Sequence, residues 1–176
     1  MKLAIIILGN KNSGKSHTWY QLFGRVIKSG IKKLPKQGLI VLVKNSSFEE
    51  TGKEIRNFFE VYIQNSSFEE NGGEIENRFN DDNIPNIFLC SVQYTKHGIQ
   101  TINWLKERNY YLYIQWLNPG FHDIAEYPDF LEFENKFAKS GQFMKCSGKE
   151  KVERVLMIEK FLDKWIIKSL KKNLAL

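Results

Sequence analysis

Apolar positions along this chain alternate between two rhythms. Leu3-Ala4-Ile5-Ile6-Ile7-Leu8 is an unbroken apolar run of strand length, and Trp19, Leu22, Phe23, Val26 and Ile27 then follow at the spacing of one helix face. Further runs predict strands at Gly38–Val43, at Asn86–Val92 behind Pro85, at Tyr110–Leu117 and, shorter, at Gln142–Cys146. Helical spacing returns around 98–108 (Ile99, Ile102, Leu105) and over 128–139, where Pro128 suits a helix start. Over 149–172, Val152, Val155, Leu156, Phe161, Leu162, Trp165 and Ile166 form a broad apolar face. Strands without polar alternation, separated by amphipathic helices, predict an α/β fold in three layers. Its mostly parallel sheet of about five strands is covered on both faces. One domain accounts for all 176 residues.

A repeat interrupts this rhythm. Asn45-Ser46-Ser47-Phe48-Glu49-Glu50 recurs as Asn65-Ser66-Ser67-Phe68-Glu69-Glu70, and the echo continues through Gly52/Gly72, Glu54/Glu74, Ile55/Ile75, Asn57/Asn77 and Phe59/Phe79. Each copy holds Ser-x-x-Glu, the capping-box pattern, at Ser47/Glu50 and Ser67/Glu70. Residues 45–80 are therefore expected to form a duplicated helical insertion. Glycines weaken both copies, and the insertion follows the second strand, so it is placed to act as a lid.

The chemistry-bearing segment lies between the first strand and the first helix. Gly9-Asn10-Lys11-Asn12-Ser13-Gly14-Lys15-Ser16 fits G-x-x-x-x-G-K-[ST] without a mismatch, in the strand–loop–helix context that the pattern requires. Gly9 and Gly14 permit backbone angles and approaches that a side chain would block. The amides of Asn10, Lys11, Asn12 and Ser13 can then wrap a phosphate chain, with the helix dipole and His17 just behind. The segment resembles the Walker A loop of the P-loop NTPase superfamily, over residues 3 to 30. That resemblance implies a P-loop fold, a nucleoside triphosphate and Mg2+, with Lys15 on the β- and γ-phosphates and Ser16 as a metal ligand.

The chain departs from that pattern in lacking a strand-terminal acid. The second run ends at Lys44, the third passes through Cys90-Ser91 to Gln93, and the fourth ends near Gln115 and Asn118. Glu49, Glu50 and Asp123 are the candidate carboxylates, with Glu49 assigned a catalytic place. Gln93 is a candidate for orienting an attacking water. Arg56, Arg78 and Arg108 are candidate cations for charge on the leaving group. His17, His97 and His122 show no triad spacing. Base recognition lacks N/T-K-x-D and D-x-x-G, whereas Ser147-Gly148-Lys149 after Cys146 resembles the S-A-K loop that borders the base in GTPases. Such loops also border adenine in kinases, so with the guanine-reading motif absent ATP is expected ahead of GTP.

Composition changes this picture little. The net charge of +6 and pI near 9.2 permit a polyanionic partner. The basic residues are spread along the chain, and Lys168, Lys171 and Lys172 suit a helix C-terminus. Nucleic acid is not favoured as a partner. Cys90 and Cys146 stand in apolar strand runs and are expected to be buried, reduced thiols. The six-residue N-terminal run is too short for a membrane span, so a cytoplasmic protein is expected. The leading expectation is a small phosphotransferase or NTPase. The alternatives are a nucleotide-binding sensor or assembly module, acting through a protein partner or homo-oligomer, and a GTPase-like switch with a degenerate base motif.

Overall fold

The computed structural model describes residues 1–26, 34–47, 54–71, 73–79 and 83–174. The strands are β1 (Leu3–Gly9), β2 (Gln37–Ser47), β3 (Glu54–Gln64), β4 (Ile87–Gln93), β5 (Tyr111–Leu117) and β6 (Gly141–Cys146). The helices are α1 (Lys15–Val26), α2 (Lys96–Glu107), α3 (Phe133–Phe137) and α4 (Lys151–Leu174). The strands form one sheet in the order β2-β3-β4-β1-β5-β6. β3, β4, β1, β5 and β6 run parallel, and β2 pairs antiparallel with β3. The molecule is an α/β protein with a six-stranded, mostly parallel sheet.

β1 explains the two-sided core. All seven of its residues are buried. Leu3, Ile5 and Ile7 point to one face, where Trp19, Leu22 and Phe23 of α1 meet Val155, Ile158, Leu162 and Ile166 of α4. Ala4, Ile6 and Leu8 point to the other, against Ile102 and Leu105 of α2 and Phe133 and Phe137 of α3. A strand buried on both faces has no polar side to present, which is why its sequence shows no alternation. Among the described residues, no helix is long and apolar enough to cross a membrane.

Two expectations fail in the duplicated segment. Among the described residues the sheet has six strands where about five were expected, because Glu54–Gln64 is a strand in place of a helical piece. Long-range pairing overrides the local capping signal there. β2 and β3 pair residue for residue from Gln37↔Gln64 to Ser47↔Glu54, and the end of β3 joins β4 at Tyr62↔Phe88 and Ile63↔Leu89. Val61 and Ile63 enter one core layer and Tyr62 the other. The first hexapeptide begins inside β2, while Glu49, Glu50 and Gly52 lie outside the described residues. The second hexapeptide forms a bend and a 3-10 turn, Glu69–Asn71, with another turn at Ile75–Asn77.

Smaller differences follow from local competition. The helix expected over 128–139 shrinks to Phe133–Phe137, because Asp129 accepts from the amides of Phe133 and Glu134 (3.0 and 2.9 Å) and from the Tyr94 hydroxyl (2.7 Å). These bonds hold 128–132 as a turn. Val152, expected on the core face of α4, is 55% exposed. Cys90 is buried as expected, but Cys146 is only half-buried, because β6 is an edge strand.

Candidate functional site

The Gly9–Ser16 loop leaves the carboxyl end of β1, between β4 and β5, and turns directly into α1. A Cβ on Gly9 would lie 2.5 Å from Ser13 Oγ, and Gly14 has φ +98°, so each glycine is required by its place. Asn12 takes a left-handed conformation (φ 63°) that asparagine tolerates better than most residues. The amides of Lys15, Ser16 and His17 open the helix and have no intrahelical acceptor. They border a cleft of about 350 Å3 lined by the loop, Asn65, Glu70, Phe121, His122 and Lys151.

Lys15 is buried (6% exposed) and folded back over the loop. Its ammonium donates to Gly9 O (2.9 Å) and Asn10 O (2.7 Å). Burial pulls its pKa from 10.5 down to about 8, against the opposing pull of Glu70 and Glu69. Both acids come from the second hexapeptide. Glu70 Oε1 accepts from Gln93 Nε2 (2.9 Å) and Glu69 Oε1 from Thr95 Oγ1 (2.6 Å), which tethers the 3-10 turn to the end of β4 and the start of α2. The Ser67–Glu70 capping box is half formed: the Glu70 amide donates to Ser67 Oγ (3.4 Å), while the Glu70 carboxylate turns away to Gln93.

Asn65 joins the other members of the cleft. Its backbone oxygen accepts from Ser16 Oγ (3.2 Å) and from Ser91 Oγ (2.7 Å), and Ser91 Oγ in turn accepts from Trp19 Nε1 (2.9 Å). Among the described residues, the buried Asn65 side-chain oxygen has no hydrogen-bond partner, and neither has Ser13 Oγ.

The opposite wall is built by long-range backbone contact. Phe121 N donates to Ser13 O (3.0 Å) and Gly148 N to Pro119 O (2.7 Å). A Cβ on Gly148 would lie 2.4 Å from Phe121 N and 2.7 Å from Ser13 O. Lys151 stands 4.0 Å over the Phe121 ring. Behind this wall Arg154 is buried, donating to Thr18 Oγ1 (2.6 Å) and Gly148 O (3.2 Å), and burial lowers its pKa. His17 is exposed; its pKa is lowered by partial burial and then by Lys151 and Arg154.

Of the residues singled out in the sequence, Asn12, Ser13, Gly14, Lys15, Ser16 and His17 line the cleft. Gly9 and Asn10 hold the Lys15 ammonium through their carbonyls, and Lys11 is exposed. In the 147–149 segment, Gly148 packs on the loop, whereas Ser147 Oγ accepts from the Lys149 amide (3.2 Å) and Lys149 is exposed. Gln93 reaches the cleft through Glu70. Glu49 lies outside the described residues, and so does the side chain of Arg56. Asp123 accepts from Gly120 N (2.9 Å) and serves its own turn. Arg78 bonds Gln37 and covers Phe68, and Arg108 stacks on Trp104, so neither reaches the cleft. Sequence reasoning missed Asn65, Glu70, Phe121, Lys151 and Arg154. The repeat itself was the available signal for Asn65 and Glu70.

Among the described residues, no three His, Cys, Asp or Glu side chains cluster as a metal site. No protein-family model matches the chain, and no curated protein matches it.

Proposed function

We propose that the Gly9–Ser16 loop binds the phosphate chain of a nucleoside triphosphate with Mg2+, ATP ahead of GTP, and that the chain is a small phosphotransferase or NTPase of the P-loop type. One observation carries this reading. Lys15 buries its ammonium in the throat of a glycine loop, held by two carbonyls and with a lowered pKa. A buried cation held only by neutral acceptors is costly, and an anion arriving at the loop relieves that cost. The rest of the loop fits an anion too: Lys15, Ser16 and His17, which open α1, line the cleft, and buried Ser13 Oγ has a hydroxyl to offer.

In this reading the amides of the loop and Lys15 hold the phosphates and offset charge that builds on the leaving group. Ser16 offers its hydroxyl oxygen to the metal, and bound Mg2+ would supply charge neutralisation on the phosphate oxygens. Glu70, oriented by Gln93, supplies at the cleft the carboxylate that the sequence sought in Glu49. His122 and Lys151, on the far wall, meet the outer part of the ligand.

One observation favours a second reading, a nucleotide-binding sensor or assembly module with little turnover. β4, the strand beside β1, places Ser91 where an acid would be expected, and its hydroxyl is already engaged by Trp19 and Asn65. Thermal shift with ATP, GTP and inorganic triphosphate, with and without Mg2+, combined with phosphate release, separates the readings. Stabilisation that Lys15→Ala removes supports binding, and release above the uncatalysed rate supports the enzyme. Absence of any stabilisation sinks both.

A further inference from the structure

The cleft leaves a specific question of chemistry: what stands in for the missing strand-terminal acid. Ser16 Oγ donates to the Asn65 backbone oxygen, so these two residues touch. Asn65 is 5% exposed and lines the cleft, and its side-chain oxygen, fully buried, has no hydrogen-bond partner among the described residues. A buried amide oxygen left unpartnered costs on the order of 1–3 kcal/mol. Glu70 lines the same cleft five residues further on, with one carboxylate oxygen fixed by Gln93. Hydroxyl, amide and carboxylate oxygens form the hard donor set that Mg2+ or Mn2+ prefers.

We propose that Asn65 and Glu70, both from the second copy of the Asn-Ser-Ser-Phe-Glu-Glu repeat, complete with Ser16 a divalent-cation site at the end of β3. This rests on the reading of the loop as a triphosphate site. The amide of Asn65 contributes a neutral oxygen beside Ser16, and Glu70 contributes the negative charge. The acid thus enters from the turn that follows β3 and not from the end of β4. The bonds to Ser16 and Ser91 are made by the backbone carbonyl of Asn65 and not by its side chain.

The test measures Mn2+ and triphosphate separately on the full chain. ATP affinity is taken by calorimetry with chelator and with Mg2+, and Mn2+ affinity of the ATP complex by electron paramagnetic resonance, in wild type, Asn65→Ala, Asn65→Asp and Glu70→Gln. Asn65→Ala and Glu70→Gln are expected to keep metal-free ATP affinity within about two-fold, while Mn2+ affinity of the complex falls about ten-fold or more. Asn65→Asp, which keeps an oxygen and adds charge, is expected to retain or strengthen Mn2+ binding. Unchanged Mn2+ affinity in Asn65→Ala and Glu70→Gln overturns the assignment while leaving the triphosphate site standing. Wild type that binds no ATP under either condition overturns the loop reading first and this site with it. Parallel loss of metal-free ATP binding in Asn65→Ala would also overturn it, since the residue would then serve the phosphates or the fold.

Discussion

The buried lysine makes triphosphate binding sensitive to alkaline pH well below the ordinary lysine range. Lys15 titrates near pH 8 in the ligand-free protein. If only its ammonium form holds phosphate, affinity follows the protonated fraction. That fraction is about three quarters at pH 7.5 and about 3% at pH 9.5, so affinity falls about 25-fold, close to 2 kcal/mol. ATP itself is fully ionised across this window, so the change belongs to the protein. Binding at pH 8.5 should also take up about three quarters of a proton, which calorimetry in buffers of different ionisation enthalpy reads directly. Lys15→Arg keeps its charge throughout and is expected to show a much flatter profile, isolating the lysine from other groups. A wild-type affinity that stays level from pH 7.5 to 9.5, with no proton uptake, refutes the premise that the buried ammonium is the phosphate's partner.

Three other outcomes follow from the same geometry. The folded-state pKa of Lys15 (about 8) lies below its ordinary value of 10.5, so between these pH values the unfolded chain binds the extra proton. Ligand-free stability should therefore rise with pH across 8–10.5, by about 3 kcal/mol relative to Lys15→Met measured in parallel by urea unfolding; a flat difference would falsify the assigned shift. Gly148→Ala drives a methyl against the backbone of Phe121, Gly120 and Ser13. It should cost about 2 kcal/mol, seen as a fall of roughly 4–8 °C in Tm with weakened triphosphate binding. Under native conditions a thiol reagent should modify half-buried Cys146 slowly and leave Cys90 untouched. Burial pushes these thiols up to about 11 and about 12; faster reaction at Cys90 would contradict its place in the core.

What the sequence made legible was whatever repeats at short range. β1, β4 and β5 read as apolar runs because parallel strands covered on both faces need no polar side, and α1 and α4 read from their stripes. β3 escaped because its neighbours carried a stronger local message: the capping boxes and the echo between Glu54-Ile55 and Glu74-Ile75. One string joins a strand and the other enters a 3-10 turn, so the decision lies with the partners, β2 in the first case and the core layer that buries Ile75 in the second. The loop's residues were legible because its backbone demands glycine at two fixed places. The arrival of Asn65, Glu70 and Arg154 around the loop depends on contacts 23 to 136 residues apart. No local pattern records those.

The meeting of Ser13, Gly120 and Gly148 has a consequence in time. These residues belong to the start, the last third and the final stretch of the chain, yet their backbones touch with nothing larger than hydrogen between them. The loop therefore cannot take its shape from its own sequence as it emerges during synthesis. The wall that seats the loop arrives only with the turn after β5 and the segment leading into α4. A nascent chain halted before Cys146 carries every residue of the phosphate-loop motif and lacks the surface that shapes it.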